Sequence, residues 1–584
     1  MSDPQRPRTR EEREAAARER ERRRAERAGA ARTLGRVLPR RRRTRVLLGV
    51  LGLLGVAAAV AAFVVYRTAT EGPGNVSNPD VEFEEDAPSP EPEPEDTSRW
   101  PLYGYSKDHR RTYKPPREMP IRGPWGKIWR RKASALLEFP PVIYRGSIFQ
   151  LADDGKLYAI RKNTGRRRWS RDLGHLAAST PAIGGGSMYV TILERRRGLR
   201  AGRVASIWLD GRTKWSRDLG SRSESSPLLN RGKIYFGTEG GTLYALNAHN
   251  GRTLWRYQAD GAIKGSPTLS NGKLFFGDYA GHVHAVRLSN GRPVWEADVA
   301  ARAIRSGRFY ATAAVAFGRV YIGSTDGRMY SLSARNGRLA WARQTGHYVY
   351  SSAAVHDVPD VGPTVYFGSY DGHFYALNAR SGAVRWRFRS GGKISGAATI
   401  IGKAVFFADL GKRTTFGLSL PTGRVFYKRA PGWFDPVVSD GRHLFQTGHH
   451  TLTALLPAHE ARRELRKRRE RERERRRRRN TPEAREKARE RRERAREQRR
   501  ERERRRRAAI LRERERRVAA RQRVEVRRAL RRCWRHTTRS STARCGRAVR
   551  ARFIRECRRR HTTRSAERRC ADRVRRVRVR PRRR

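Results

Sequence analysis

His282 and His284 stand two residues apart in the run HVHAV, so a strand would carry both imidazoles on one face, a minimal pattern for holding a metal ion. Four cysteines, Cys533, Cys545, Cys557 and Cys570, all fall in the last sixth of the 584-residue chain, where they could form disulfides or a thiolate zinc site. Aspartates recur before glycine, at Asp154, Asp326 and Asp371, and could serve as cation ligands or bases. A further set mixes cations with aromatic rings: Lys264, Arg305, Arg308, Tyr310, Tyr348, Tyr350, Lys393 and Trp433. That mixture suits recognition of an anionic polymer, a glycan or an extended peptide rather than bond making.

What these residues can do depends on the elements that hold them, and the middle of the chain is a repeat. Ser225 to Trp255 reads SSPLLNRGKIYFGTEGGTLYALNAHNGRTLW, four short apolar runs separated by turn residues. The same order returns at Ser266 to Trp295, Ala313 to Trp341 and Ser352 to Trp386. The closing aromatics are Trp129, Trp169, Trp215, Trp255, Trp295, Trp341, Trp386 and Phe426, at spacings of 40, 46, 40, 40, 46, 45 and 40. Each from Trp169 onward follows a turn whose glycine supplies the positive φ such turns need, as in Asn250-Gly251 and Asn290-Gly291. Each unit is therefore a four-stranded meander, which can bury both faces only by packing against its neighbours in a ring. Seven units are complete; an eighth begins near Phe434 and lacks a closing strand, while an orphan closing strand lies upstream at Gly126 to Trp129. We expect an all-β, eight-bladed propeller closed by joining the two ends of residues 125–457.

The repeat settles much of the chemistry. His282 occupies the position of Thr242 and His373, and His284 that of Tyr244 and Tyr375. Equivalent positions in separate blades do not converge, so no metal is expected there. The repeated aspartates are read as turn residues. The cation and aromatic set falls in the connections before the first strand of each unit, which in a propeller ring the mouth of the central channel. We read it as a candidate binding face, with no catalytic, cofactor-binding or metal-ligating residue assigned.

The segments Ala159 to Trp169, Ala245 to Trp255 and Ala376 to Trp386 resemble the tryptophan-docking motif of PQQ-type, or quinoprotein-like, propellers. The resemblance implies that Trp129, Trp169, Trp215, Trp255, Trp295, Trp341 and Trp386 lock each blade onto the next. The family holds quinone-dependent dehydrogenases, an outer-membrane assembly lipoprotein of the BamB type, and sensors without activity. Its enzymes use acidic residues for a divalent metal and a base, often beside a vicinal disulfide. Here no two cysteines are adjacent, and the motif's acidic position is Arg161, Asn247 and Asn378. The resemblance thus implies the non-enzymatic branch, without PQQ or calcium, and a PQQ-dependent oxidoreductase is the alternative.

The ends are of another kind. The chain carries 132 Lys and Arg against 57 Asp and Glu, a formal net charge of +75, concentrated outside the repeat. Residues 1–45 form a basic arm read as disordered. Residues 46–66 are an unbroken apolar run, long enough as a helix to cross a bilayer, and the basic flank places the N-terminus in the cytoplasm. Residues 67–124 read as an acidic, Pro-rich linker. Residues 458–531 read as Arg/Glu-rich helix, broken at Asn480-Thr481-Pro482, where Thr481 can cap a second helix. Residues 532–584 hold two similar basic hairpins, CWRHTTRSSTARC and CRRRHTTRSAERRC, for which we expect Cys533–Cys545 and Cys557–Cys570 pairs. The whole reads as a single-pass membrane protein with the propeller and tail outside. It would be a scaffold or binding module of the bacterial envelope, with a protein or glycan on the propeller and anionic polymer or lipid headgroups on the tail. Nucleic-acid binding by the tail is a further alternative.

Overall fold

The computed structural model describes residues 75–85, 99–117, 119, 123–198, 201–299, 307–435, 437–533, 539–560 and 563–577. The expected basic arm and transmembrane helix, residues 1–66, lie outside the described residues, as does Arg305. Among the described residues no helix is long and apolar enough to cross a membrane. The chain divides into two compact units, residues 1–465 and 466–584.

The first unit holds eight antiparallel blades. Blades 1 to 7 run in order as Val142–Asp172, Ala182–Asp218, Leu228–Gln258, Thr268–Asp298, Ala314–Gln344, Ala354–Arg389 and Thr399–Arg429. Blade 8 is Val437–Pro457 completed by Trp125–Lys132. Within a blade, burial tracks the sequence pattern. The second strand of blade 3, Lys233–Phe236, is apolar on both faces and buried, because blades cover it from both sides. The outermost strand, Thr253–Gln258, alternates part-buried with exposed, because its edge meets water.

The ring closes where the sequence placed the join. Trp125–Lys132 pairs antiparallel with Thr451–Pro457, bringing Trp129 opposite Ala454. Each of the seven tryptophans then reaches into the following blade. Trp129 Nε1 donates to the Lys162 carbonyl at 2.7 Å, Trp169 to Leu209 at 2.9 Å and Trp215 to Ala248 at 3.0 Å. Trp255 donates to Leu288 at 3.2 Å, Trp295 to Ala334 at 3.2 Å, Trp341 to Ala379 at 2.9 Å and Trp386 to Leu420 at 3.0 Å. Each ring lies on the turn glycine of that blade. A Cβ on Gly291, whose φ is +73°, would sit 2.4 Å from the Trp255 ring. The glycine is thus required both for its left-handed backbone and for the close approach of the indole.

Composition assigned residues 67–124 to a linker, but Val76–Ser77 pairs with the outer strand of blade 5 and Val81 is buried against it, and from residue 99 the chain is again part of the propeller. It crosses the ring, donating or accepting at the innermost strand of one blade after another. Trp100 exchanges hydrogen bonds with Ile143 of blade 1, and the Pro101 carbonyl accepts from Ile183 of blade 2. Lys107 bonds Asn230 of blade 3 through its side chain and Leu269 of blade 4 through its carbonyl. Asp108, Arg110 and Arg111 carbonyls accept from Val315, Val355 and Ile400 of blades 5, 6 and 7. Thr112–Tyr113 then adds a parallel strand to Thr399–Ile401. Trp100, Tyr105 and Tyr113 pack together at tilted and edge-on angles and are buried. The departure from expectation has a simple cause: the acidic, proline-rich composition stops before Trp100, and WPLYGY supplies enough apolar area to order the crossing.

The second unit is helical. The helix Ala458–Asn480 spans the division between the units, and Pro482–Cys533 follows. Thr481 Oγ1 accepts from the Ala484 amide at 3.3 Å, so the threonine caps the second helix. Ion pairs on these helices run at i,i+4, as in Arg468–Glu472 and Arg478–Glu474. The helices Arg539–Arg560 and Arg564–Arg575 fold back, and Cys533 is bonded to Cys545 and Cys557 to Cys570. Val526, Leu530, Val574 and the second disulfide make its small core.

Candidate functional site

Seven innermost strands and the one opening blade 8 are entered from the same end of the ring. Four residues before each entry lies one equivalent position per blade: Glu138, Ala178, Glu224, Lys264, Tyr310, Tyr350, Ser395 and Trp433, of which all but Ala178 and Trp433 line the channel cavity. The crossing segment closes the opposite end. Between them is a cavity of about 50 Å³ lined by Tyr103, Glu138, Glu224, Lys264, Tyr310, Tyr350 and Asp435, among others. Tyr103 comes from the crossing segment and forms part of its floor.

The cavity is acidic, which its sequence pattern of cations did not foretell. Lys264 is not a free cation: its Nζ lies 2.7 Å from Glu224 and 2.9 Å from Glu239. Burial opposes its charge, but the two carboxylates outweigh burial and hold the ammonium above its usual range. Burial raises Glu224 despite Lys264. Burial also pushes Glu138 up to about 7, helped by the charges of Glu224 and Asp153 and opposed by Lys264. Asp435 is buried, and that burial holds its carboxyl well above the usual range against the pull of Arg111. Asp435 Oδ2, His109 Nε2, and Arg111 Nε and Nη2 are buried without a hydrogen-bond partner in the protein. Arg111 instead lies 4.0 Å over the Tyr103 ring. Orphaned polar atoms around a small cavity mark a place that water or a polar ligand can satisfy.

The remaining candidates surround this cavity. Tyr310 meets Tyr350 edge-on at 5.4 Å, and Tyr350 meets Tyr348 at 5.7 Å. Two rings that sequence reasoning missed extend the arc: Tyr279, 6.5 Å from Tyr310, and Tyr370, 4.9 Å from Tyr350. Arg308 lies over Tyr279 at 5.7 Å and Lys393 over Tyr370 at 5.4 Å, both side chains solvent-exposed. Tyr348 is 38% exposed and is the ring most open to a partner. Trp433 stands apart, against His449 at 4.5 Å with Arg413 at 4.8 Å.

The missed residues left a signal. Glu138 and Glu224 share the repeat position of Lys264 and Tyr310. Tyr279 and Tyr370 share that of Glu239 and Thr325. Asp435 replaces a hydroxyl: Thr180, Ser226, Ser266, Thr312 and Ser352 hold its position in other blades. Several of those hydroxyls tie neighbouring blades together, as Ser226 Oγ does in accepting from the Thr180 amide at 2.9 Å.

A closed ring of eight tryptophan-locked, four-stranded blades defines the class: an eight-bladed propeller of PQQ-type repeats. A family profile described as outer membrane protein assembly factor BamB matches residues 125–207, 198–359 and 351–463, more than half of the chain, and the chain belongs to that family. No curated protein matches by sequence. Among solved structures, BamB from Moraxella catarrhalis is 17% identical with a TM-score of 0.48, covering 57% of this chain and 100% of its own. The quinohemoprotein alcohol dehydrogenase from Comamonas testosteroni is 13% identical with a TM-score of 0.51, covering 62% and 81%. A second such dehydrogenase, from Pseudomonas putida HK5, is 13% identical with a TM-score of 0.52, again covering 62% and 81%. At these identities the likeness to the dehydrogenases is one of fold.

Proposed function

We propose that this chain is a non-catalytic binding or scaffold module of the bacterial cell envelope, anchored by residues 46–66 with the propeller outside, whose open channel mouth takes a protein or glycan. The observation that carries this reading is the mouth itself: a tyrosine arc with cations laid over two of its rings, above a blind acidic cavity. Tyrosine and arginine at a partly exposed, rigid rim are the residue types that anchor protein partners. Membership of the BamB family supports an envelope role, because that family is described as an assembly factor.

The rival reading needs a bound quinone. A pocket for a small organic ligand has a volume of roughly 300 Å³ or more. The cavity here is about 50 Å³, and Tyr103 occupies its floor. A cavity this small supports binding over quinone-dependent oxidation. A second surface, the Arg-rich helices of residues 458–533, suits anionic polymers or lipid headgroups by charge alone.

Purified full-length protein, mixed with PQQ and calcium, should oxidise neither alcohols nor sugars. With a partner in hand, replacing Tyr348, Arg308 and Lys393 together by alanine should weaken binding at least ~10-fold while the melting temperature holds. Quinone-dependent turnover, or unchanged partner binding by the triple variant, would reject this reading.

A further inference from the structure

Blade 4 departs from the other blades at several positions at once, and the departures meet in space. Its second-strand turn places Asp278 where blades 3, 5 and 6 have Thr238, Ser324 and Ser369. His284 stands where they have Tyr244, Tyr330 and Tyr375. Glu296, paired opposite His284, stands where they have Arg256, Ala342 and Arg387. In blade 6 the tyrosine hydroxyl donates to the turn aspartate, Tyr375 to Asp371 at 2.6 Å, and the His373 and Gly346 amides donate to the same carboxylate at 2.8 and 2.9 Å. The repeat therefore supplies its own control, and blade 4 has exchanged that hydroxyl contact for imidazoles and carboxylates.

We propose that blade 4 carries a binding site for a divalent transition ion, zinc foremost, ligated by Asp278, His282 and His284. Comparing positions between blades had excluded convergence, but the convergence lies within one blade. His284 Nε2 is 3.2 Å from Asp278 Oδ2, and His282 Nδ1 is 3.6 Å from the same oxygen. The three donor atoms all lie within 4.8 Å of one another. Ligands held about 2.0–2.1 Å from a tetrahedral zinc lie roughly 3.3 Å apart, so these separations match the edges of such a site. His282 Nδ1 is buried and makes no hydrogen bond, leaving a donor atom aimed at the carboxylate without a partner.

The surroundings have the form of a metal site rather than of a turn. Asp278 Oδ1 accepts from the Ala280 and His282 amides, at 3.0 and 2.9 Å, which fixes the carboxylate and turns Oδ2 toward the imidazoles. His284 Nδ1 lies 3.2 Å from Glu296 Oε2 and 3.1 Å from the Tyr257 hydroxyl. A carboxylate on the far nitrogen is the arrangement that orients a metal-bound histidine. His284 and Asp278 are buried, while His282 is part exposed and Asp260, 79% exposed, has Oδ2 4.0 Å from His282 Nδ1. Asp260 falls outside the three mutually close donors and is not counted among the ligands. Two imidazoles with carboxylates select zinc, cobalt or nickel over calcium or magnesium, which take oxygen ligands.

The test uses untagged, full-length protein freed of metal by a chelator and titrated with Co²⁺ and then Zn²⁺. We expect one saturable equivalent, visible cobalt bands characteristic of imidazole ligation, and their loss as zinc displaces cobalt. His282→Ala, at a part-exposed position where the fold can tolerate change, should lose the bands and weaken binding at least ~10-fold, as should Asp278→Asn and His284→Gln if circular dichroism shows them folded. Tyr257→Phe, a positioning change, should keep the band shape and weaken affinity by about 10–100-fold. His249→Ala should behave as the parent. Cobalt that binds without imidazole bands, or binds His282→Ala as tightly as the parent, would overturn the proposal.

Discussion

The two ends of the channel are built from the same eight repeats and yet are opposites. At one end the segment from Trp100 to Tyr113 satisfies backbone groups of successive inner strands and buries its own rings. At the other end no such segment lies among the described residues, and tyrosines, an ion-paired lysine and raised carboxyls face the opening. The blades' own direction already makes the two rims different, since the connections entering each innermost strand all fall on one of them, and the crossing segment then closes the other. The lesson is that a repeat sets the frame, while departures from it set what each face can do.

The largest effect should come from breaking the closed end. Trp100 is 1% exposed and packs against Tyr105 and Tyr113, at 5.1 and 5.7 Å. Trp100→Ala should cost about 3–5 kcal/mol in denaturant unfolding of the full chain. A loss no greater than that of an exposed residue would show the crossing segment to be an accessory. Next comes the frame itself. Gly291→Ala combines a left-handed backbone with a clash against Trp255, and should lower stability by about 1–3 kcal/mol. An unchanged midpoint would mean that the indole can leave its glycine without cost.

A third effect belongs to the open end and is read by pH. Glu138 has its carboxyl pushed from 4.5 up to about 7 in the fold. A raised carboxyl binds its proton more tightly when folded. Its contribution therefore favours folding as pH falls through 7 toward 4.5, and is lost as pH rises through 7. Glu138→Gln should flatten that part of the stability profile and raise stability above pH 7. An unaltered profile would place the charge in water. The smallest effect concerns the rim. Arg308→Ala with Lys393→Ala should change stability by no more than about 0.5 kcal/mol, since both side chains are exposed. Lys264→Ala is the contrast within the same face, because it strands Glu224 and Glu239 and should destabilise. Equal stability of the two variants would erase the distinction between rim and cavity.

Much of the frame was legible in the sequence. The tryptophan spacing, the Gly turns and the complementary fragments at both ends gave eight blades and the join at Trp129, because those features are local and recur. The same register put Arg308, Lys393 and the mouth tyrosines in the connections before the inner strands, while Arg305 lies outside the described residues and Trp433 stands apart. The crossing segment was not legible, since its partners lie up to hundreds of residues away and it has no period. Nor was the acidic character of the cavity. Lys264 reads as a cation alone, and only the fold brings Glu224 and Glu239 onto it. The cluster in blade 4 was visible as His282 and His284, but Asp278 and Glu296 join them through a turn and a cross-strand pair that spacing does not encode.

The central claim is that the open end of the channel, and not the closed end, receives the partner. It is tested most directly by placing a photo-crosslinking residue at position 348, on the exposed tyrosine of the mouth, and separately at position 114, on the exposed part of the crossing segment. Irradiated in cells, the account predicts one discrete adduct from position 348, lost when Arg308 and Lys393 are replaced by alanine, and none from position 114. The same adduct from position 114, or none from position 348, would contradict it.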